Sequence, residues 1–276
     1  MKKKYLIMLM IFMHMIMTSC SNEEITPKEN NSTIHISTIS ENTTSENITS
    51  ENTTSMNITS ILIEEVYFKD KTIVLDPGHG NIPNFEEEPI APGSTEMKIK
   101  DGGGTTGIIT STRESDINLK VALFLEELLK TSGYRVVLTK RDPYEIPGNI
   151  DRAEIGNNEN ADLVFRIHCD SFNDQSAHGA SMLVPKAIND NTEKIYEESL
   201  RCGKIILDAL CEYVPTYNRG LIYSDQMTGF NWSTVPVVLI EMGFLSNPDE
   251  DMLLSSEDYQ MKLANGLFLG IEKCFE

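Results

Sequence analysis

Three short apolar runs, each followed closely by a polar group that a hydrophobic core does not tolerate unpaired, constrain this chain more than any other feature. They are Thr72–Leu75, Leu163–Ile167 and Val237–Ile240. Runs of this length, rich in Val, Ile, Leu and Phe, read as buried strands. Between them lie segments of helical period. Asp116–Lys130 sets Ile117, Val121, Leu125, Leu128 and Leu129 on an apolar face and stops before Gly133. Further helices are expected over Ile150–Asn160, Thr192–Tyr213 and Tyr259–Cys274, and strands over Tyr134–Thr139 and Ala180–Val184. Alternation of this kind implies an α/β fold, a three-layer sandwich with a mainly parallel twisted sheet flanked by helices. The Pro- and Gly-rich stretch 81–107, with Gly102–Gly104, reads as a long loop bordering the functional edge.

In such sheets the chemistry gathers just beyond the carboxyl ends of the strands. The first run leads to His79, the second to His168 and the third to Glu241, and Glu114 lies just before the first helix. Two imidazoles and a carboxylate suit a catalytic zinc, which takes three protein ligands and leaves a fourth position open. A separate carboxylate can take a proton from water and pass it to a leaving amine. Spacing alone leaves other roles open. A histidine after a strand also serves as a hydrogen-bonded structural residue, and a glutamate at a helix start also complements the helix dipole. Glu241 is harder to explain structurally, because a carboxylate flush against a buried strand carries a desolvation cost unless paired. Glu88 and Glu96 in the long loop are alternative carboxylates for a metal. Arg152 has a carboxylate partner in the core or at the cleft, and His178 falls in a polar surface loop.

The rest of the chain sets the context. Forty per cent of the 276 residues are hydrophobic, enough for a sizeable core, and the formal charge of −19 argues against nucleic acid as a partner. Lys2–Lys4 precede the apolar run Tyr5–Met17, which is too short for a comfortable membrane span and fits a signal sequence. Met17–Cys20 resembles a bacterial lipoprotein processing box, in which Cys20 carries the lipid. Residues 1–19 are thus read as a signal peptide. Residues 20–60, with a five-residue Ser/Thr/Asn-rich repeat, are read as a tether unable to offset its ordering entropy. The globular domain is expected over 61–276. Cys169, Cys202, Cys211 and Cys274 form no dense framework and are expected to be free thiols. Cys202 and Cys211 are nine apart on one expected helix and cannot pair directly.

Four segments then resemble, in order, the zinc-dependent N-acetylmuramoyl-L-alanine amidases of the type 3 family. Val74–Gly80 is similar to the family's opening histidine signature, and Glu114–Leu119 to its ligand glutamate and following helix. Arg152 with Ala161–Leu163 and Arg166–His168 resembles the segment carrying its second histidine, and Val235–Pro248 its catalytic glutamate segment. The resemblance covers roughly residues 72–275. It implies one zinc held by His79, Glu114 and His168, with Glu241 as general base and acid. The implied reaction is hydrolysis of the amide joining N-acetylmuramic acid to L-alanine in peptidoglycan. The signal sequence and processing box lead to the expectation of a protein working outside the cytoplasm, held at the membrane by the lipid on Cys20, and a monomer is expected. Two departures stand out. The stretch from His79 to Glu114 is longer than in compact members, and Cys169 follows His168 where a small residue such as alanine is usual. Strand alternation turns Cys169 away from the metal, so it is not assigned as a ligand. A peptidase cutting within the stem, or an inactive wall-binding module, are the competing readings.

Overall fold

The computed structural model describes residues 68–276. The signal peptide, Cys20, the tether and the expected domain start at residue 61 lie outside the described residues. The strands are β1 (Thr72–Pro77), β2 (Asn84–Pro89), β3 (Met97–Asp101), β4 (Arg135–Leu138), β5 (Leu163–Asp170), β6 (Ala180–Pro185), β7 (Asn218–Ser224) and β8 (Val237–Phe244). The helices are α1 (Glu114–Thr131), α2 (Asn149–Asn158), α3 (Asp190–Tyr213), α4 (Thr228–Asn231), α5 (Pro248–Leu254) and α6 (Glu257–Phe275). None of these helices is long and apolar enough to cross a membrane.

Six strands form one sheet in the order β4-β1-β5-β8-β6-β7. All neighbours run parallel except β6 and β8, which are antiparallel. Helices cover both faces, so the molecule is the α/β three-layer sandwich that the strand–helix alternation implies. The central strands are buried on both sides, and alternate residues divide cleanly. Ile73, Leu75, Phe165, Ile167, Val238 and Ile240 join α1, α3 and α6 in the larger core. Val74, Val164, Val237 and Leu239 join Ala161 and Phe230 in a smaller core on the other face. Continuing that parity along β5 and β8 brings Arg166, His168 and Glu241 onto the smaller-core face. At its carboxyl end this face changes from apolar to charged, and there the functional groups gather.

The stretch 81–107 is not an open loop. Strands β2 and β3 make an antiparallel hairpin, tied to the body by contacts that include bonds to the second helix and to Trp232. Glu88, buried on β2, accepts the first-turn N–H groups of α2 from Asn149 (2.9 Å) and Ile150 (3.2 Å), satisfying donors that a helix start leaves unpaired. Asn149 Nδ2 donates to the Lys100 carbonyl (2.7 Å). The Trp232 indole N–H donates to the Pro89 carbonyl (2.9 Å). The expectation of free thiols is also corrected. Cys202 on α3 and Cys274 on α6 form a disulfide with Cα atoms 5.4 Å apart, whereas Cys169 and Cys211 are free. Their separation of 72 residues hides the pairing, because only the packing of α3 against α6 brings them together.

Candidate metal centre and active site

Strand β1 ends at Pro77, and the chain turns sharply to expose His79. The Gly78 N–H donates to the Ile167 carbonyl (2.9 Å), and a Cβ at Gly78 would overlap the His168 ring. His79 sits in the left-handed region at φ 57°, which costs a non-glycine residue about 1–3 kcal/mol and persists only where the surroundings enforce it. The buried Lys140 ammonium donates to the His79 carbonyl. At the other end of the residue, His79 Nδ1 lies 2.6 Å from Asp101 Oδ1. Asp101 is buried at the end of β3 and also accepts the N–H groups of Gly80 and Gly103 (both 2.8 Å). These contacts oppose the rise that burial alone gives its carboxyl and hold it below the usual range. As an acceptor-only group, ionised Asp101 places the His79 proton on Nδ1 and leaves the Nε2 lone pair facing the cleft.

Glu114 is the first residue of α1, where the helix N-terminus favours a negative charge. Its Oε2 accepts the Thr105 N–H (2.9 Å), and its Oε1 accepts the Cys169 N–H (3.2 Å) and Asn118 Nδ2 (3.3 Å). Gly104, at φ 70°, lets the backbone approach closely, since a Cβ there would lie 2.8 Å from Glu114 Oε2. Glu114 Oε1 is 3.4 Å from His79 Nε2 and 3.1 Å from His168 Nδ1, and the two imidazole rings meet edge to face at 4.8 Å. One ligand atom from each of the three lies within 4.8 Å of the others.

Electrostatics prepare the triad for a cation. Burial raises the Glu114 carboxyl, but the His168 hydrogen bond and the charges of His79 and His168 outweigh it and bring it to about 2. Burial lowers His168 to about 4, with Glu114 opposing and His79 assisting the shift. Near neutral pH the site therefore offers a carboxylate and a neutral imidazole. His168 Nε2 is buried without a hydrogen-bond partner. A buried polar atom of this kind calls for an explanation, and a divalent cation shared with His79 and Glu114 supplies one.

Glu241 completes the edge. It lies in register with His168 on β5 and with Ser181 on β6. The residue keeps some surface exposure, but its Oε2 is buried without a partner. Burial pushes its carboxyl well above the ordinary value; Glu114 and Asp170 add to the push and Arg166 opposes it. A raised carboxyl beside the triad holds a proton more readily than an ordinary glutamate, as a group that accepts and returns one requires.

Behind this edge lies a buried ionic cluster. Asp76 Oδ1 pairs with Arg152 Nη1 (2.6 Å) and Asp76 Oδ2 with Arg166 Nε (2.7 Å). Arg152 therefore has its partner in the core. Arg152 Nη1 also donates to the Pro77 carbonyl (2.8 Å), tying the cluster to the turn that carries His79.

The structure thus brings His79, Glu114 and His168 together, with Glu241 on the neighbouring strand. Glu88 is committed to α2 and Glu96 is exposed ahead of β3, so neither joins the triad. Cys169 belongs to the larger core, on the opposite face from His168, and His178 is exposed. Asp101 is the participant that sequence reasoning misses. Its one local signal is an aspartate set directly before three glycines, which marks a turn as readily as a site.

Comparisons with known proteins point to one family. A family model described as N-acetylmuramoyl-L-alanine amidase matches residues 73–273. An uncharacterized cell wall amidase of Bacillus anthracis is 26% identical over 216 residues, covering 76% of this chain; the chain spans 36% of that relative's length. The apo N-acetylmuramyl-L-alanine amidase Ami1 of Mycobacterium abscessus superposes with a TM-score of 0.67 at 25% identity, over 75% of this chain and 99% of that one. The CwlD amidase of Clostridioides difficile, solved in complex with the GerS lipoprotein, gives a TM-score of 0.61 at 32% identity, over 75% and 98%. With the family match running through every strand of the central sheet, the chain belongs to the N-acetylmuramoyl-L-alanine amidase family.

Proposed function

We propose that this protein is a zinc-dependent amidase that hydrolyses the bond between the lactyl group of N-acetylmuramic acid and the L-alanine of the peptidoglycan stem. The observation that carries the reading is the His79–Glu114–His168 triad, with its glutamate and second histidine buried and Glu241 beside it. His79, Glu114 and His168 would hold one zinc. When bound, zinc supplies Lewis-acid polarisation of the scissile carbonyl and activation of water. Glu241 takes the proton from the attacking water at its carboxylate and returns it to the departing alanine nitrogen. Asp101 keeps the His79 Nε2 lone pair directed at the ligand set. Lys140 and Gly78 hold the turn that presents the ring. The protein acts as a monomer outside the cytoplasm, anchored by a lipid on Cys20, with peptidoglycan as its partner.

Zinc-loaded protein incubated with purified peptidoglycan is expected to release intact stem peptides bearing L-alanine amino ends, identified by mass spectrometry. Fragments cut within the stem would show a peptidase instead, and no release would point to a wall-binding module. The role given to Asp101 has its own readout. Asp101→Asn is expected to weaken zinc binding about 10–100-fold, the usual cost of losing an outer carboxylate from a metal-ligating histidine. Competition against a chelator measures this, and an unchanged affinity would remove Asp101 from the metal site.

A further inference from the structure

Beside the triad lies a cavity of about 420 Å³ that the mechanism does not use, lined by Asp170, Phe172, Asp174, Ser176, Arg219 and Phe244 among others. It adjoins the reacting edge. Asp170 follows His168 by two residues on β5, Phe244 follows Glu241 by three on β8, and Asp170 and Phe244 are in register. One wall carries a cation held in place. The Arg219 guanidinium stands 4.9 Å over the ring of buried Phe244, and its Nη1 donates to the His178 carbonyl (3.0 Å). No carboxylate lies within ion-pairing distance of Arg219 among the described residues, although the chain has 42 acidic residues against 23 basic ones. Although exposed, this guanidinium is oriented by a ring and a carbonyl, and its Nε and Nη2 have no partner among the described residues, so it is set up to receive a planar anion.

The other polar groups narrow the ligand. Asp174 is spent on its own loop, accepting the Ser176 N–H (2.9 Å) and hydroxyl (2.7 Å). Asp170 accepts only the Ser171 N–H through one oxygen, and the other has no partner among the described residues. The cavity thus offers a guanidinium with open donors and, near enough to feel its charge without pairing with it, a carboxylate with an open oxygen, while exposed Phe172 and buried Phe244 supply apolar wall. A peptide strand bearing a free carboxylate satisfies both, its N–H toward Asp170 and its carboxylate on Arg219. Neutral sugar hydroxyls would leave Arg219 with no carboxylate in ion-pairing contact, only the more distant charge of Asp170.

We propose that this cavity is the subsite for the leaving, peptide side of the substrate and that Arg219 selects a free carboxylate on the stem within a residue or two of the cut. This rests on the amidase reading above. The test uses two soluble muramyl peptides that are identical except that the residue after L-alanine bears a free carboxylate in one and its carboxamide in the other. Wild-type, zinc-loaded protein is expected to favour the carboxylate substrate about 10–100-fold in kcat/KM, the range for a charge-assisted hydrogen bond made to a fixed site. Arg219→Gln is expected to lower kcat/KM for the carboxylate substrate about 10–100-fold more than for the carboxamide, mainly through KM, so that the preference between the two disappears. Arg219→Lys, which keeps the charge and loses the fork, is expected to retain part of the preference. Turnover of both substrates by wild type with no preference, or equal loss on both in Arg219→Gln, would overturn the subsite while leaving the amidase reading intact. Failure of wild type to cleave either would overturn the amidase reading and the subsite with it.

Discussion

Replacing Glu241 with glutamine is expected to lower kcat about 10²–10⁴-fold, the range associated with a positioned general acid–base group, while zinc content stays at the wild-type level. Glutamine has nearly the same shape but can neither take nor return a proton. Glu241 stands on β8 beside His168, outside the cluster of His79, Glu114 and His168, so its replacement removes no ligand. The pH dependence should carry its signature. A base works only when ionised, so the wild-type rate is expected to rise with pH as Glu241 loses its proton. Burial, the first cause of its raised carboxyl, and Asp170 move that limb above the ordinary carboxylate range. A bound cation opposes the further push from Glu114 and limits how far the limb moves. The limb should vanish in Glu241→Gln. A variant with wild-type kcat and the same pH profile would remove Glu241 from the chemistry.

Much of this site is legible in the sequence because its parts sit at places where local signals are strong. Thr72–Leu75, Leu163–Ile167 and Val237–Ile240 announce themselves as two-face-buried strands, and the polar residue that follows each is conspicuous against such a background. Glu114 is conspicuous for another reason: it lies just ahead of a helix of clear period, read from Asp116 in the sequence and starting at Glu114 itself in the structure. The parts that escape depend on distant partners. Strand β2 reads Asn-Phe-Glu-Glu-Glu-Pro, with no apolar face to suggest a strand, and it is held by anchors to α2 and Trp232 from elsewhere in the chain. Strand β7 lies at the sheet edge, is mostly exposed and contains Gly220 at φ 85°, so neither hydrophobic run nor alternation marks it. Asp101 gains its meaning only because the hairpin closes beside His79, 22 residues earlier in the chain. The Cys202–Cys274 link likewise becomes visible only when α3 and α6 lie together. In each case the missing information is a tertiary contact, which composition and period do not encode.

The buried cluster behind the site gives the second large effect. Asp76→Ala is expected to destabilise the fold by about 3–5 kcal/mol, the cost of leaving buried charge uncompensated after one partner of a pair is removed. Asp76 is completely buried and pairs with two guanidiniums that are themselves buried, and the Thr139 hydroxyl donates to it at 2.6 Å. Burial works to raise the Asp76 carboxyl, but Arg152, Arg166 and the Thr139 hydroxyl prevail and hold it far below the usual carboxylate range. A depressed carboxyl contributes stability above its unfolded value, near 4, and loses it only as pH falls toward the folded value. The gap between wild type and Asp76→Ala should therefore be full at neutral pH and narrow only in strong acid. Denaturant unfolding monitored at several pH values measures it. The cluster also reaches the candidate metal centre. Arg152 holds the Pro77 carbonyl two residues before His79, so guanidiniums released from Asp76 disturb the turn that aims the His79 ring. Weaker zinc binding in Asp76→Ala, measured at low denaturant where the variant remains folded, is the expected companion result. A variant as stable as wild type would mean that water or rearranged side chains satisfy both arginines without Asp76, and the cluster would then not be what fixes the end of β1.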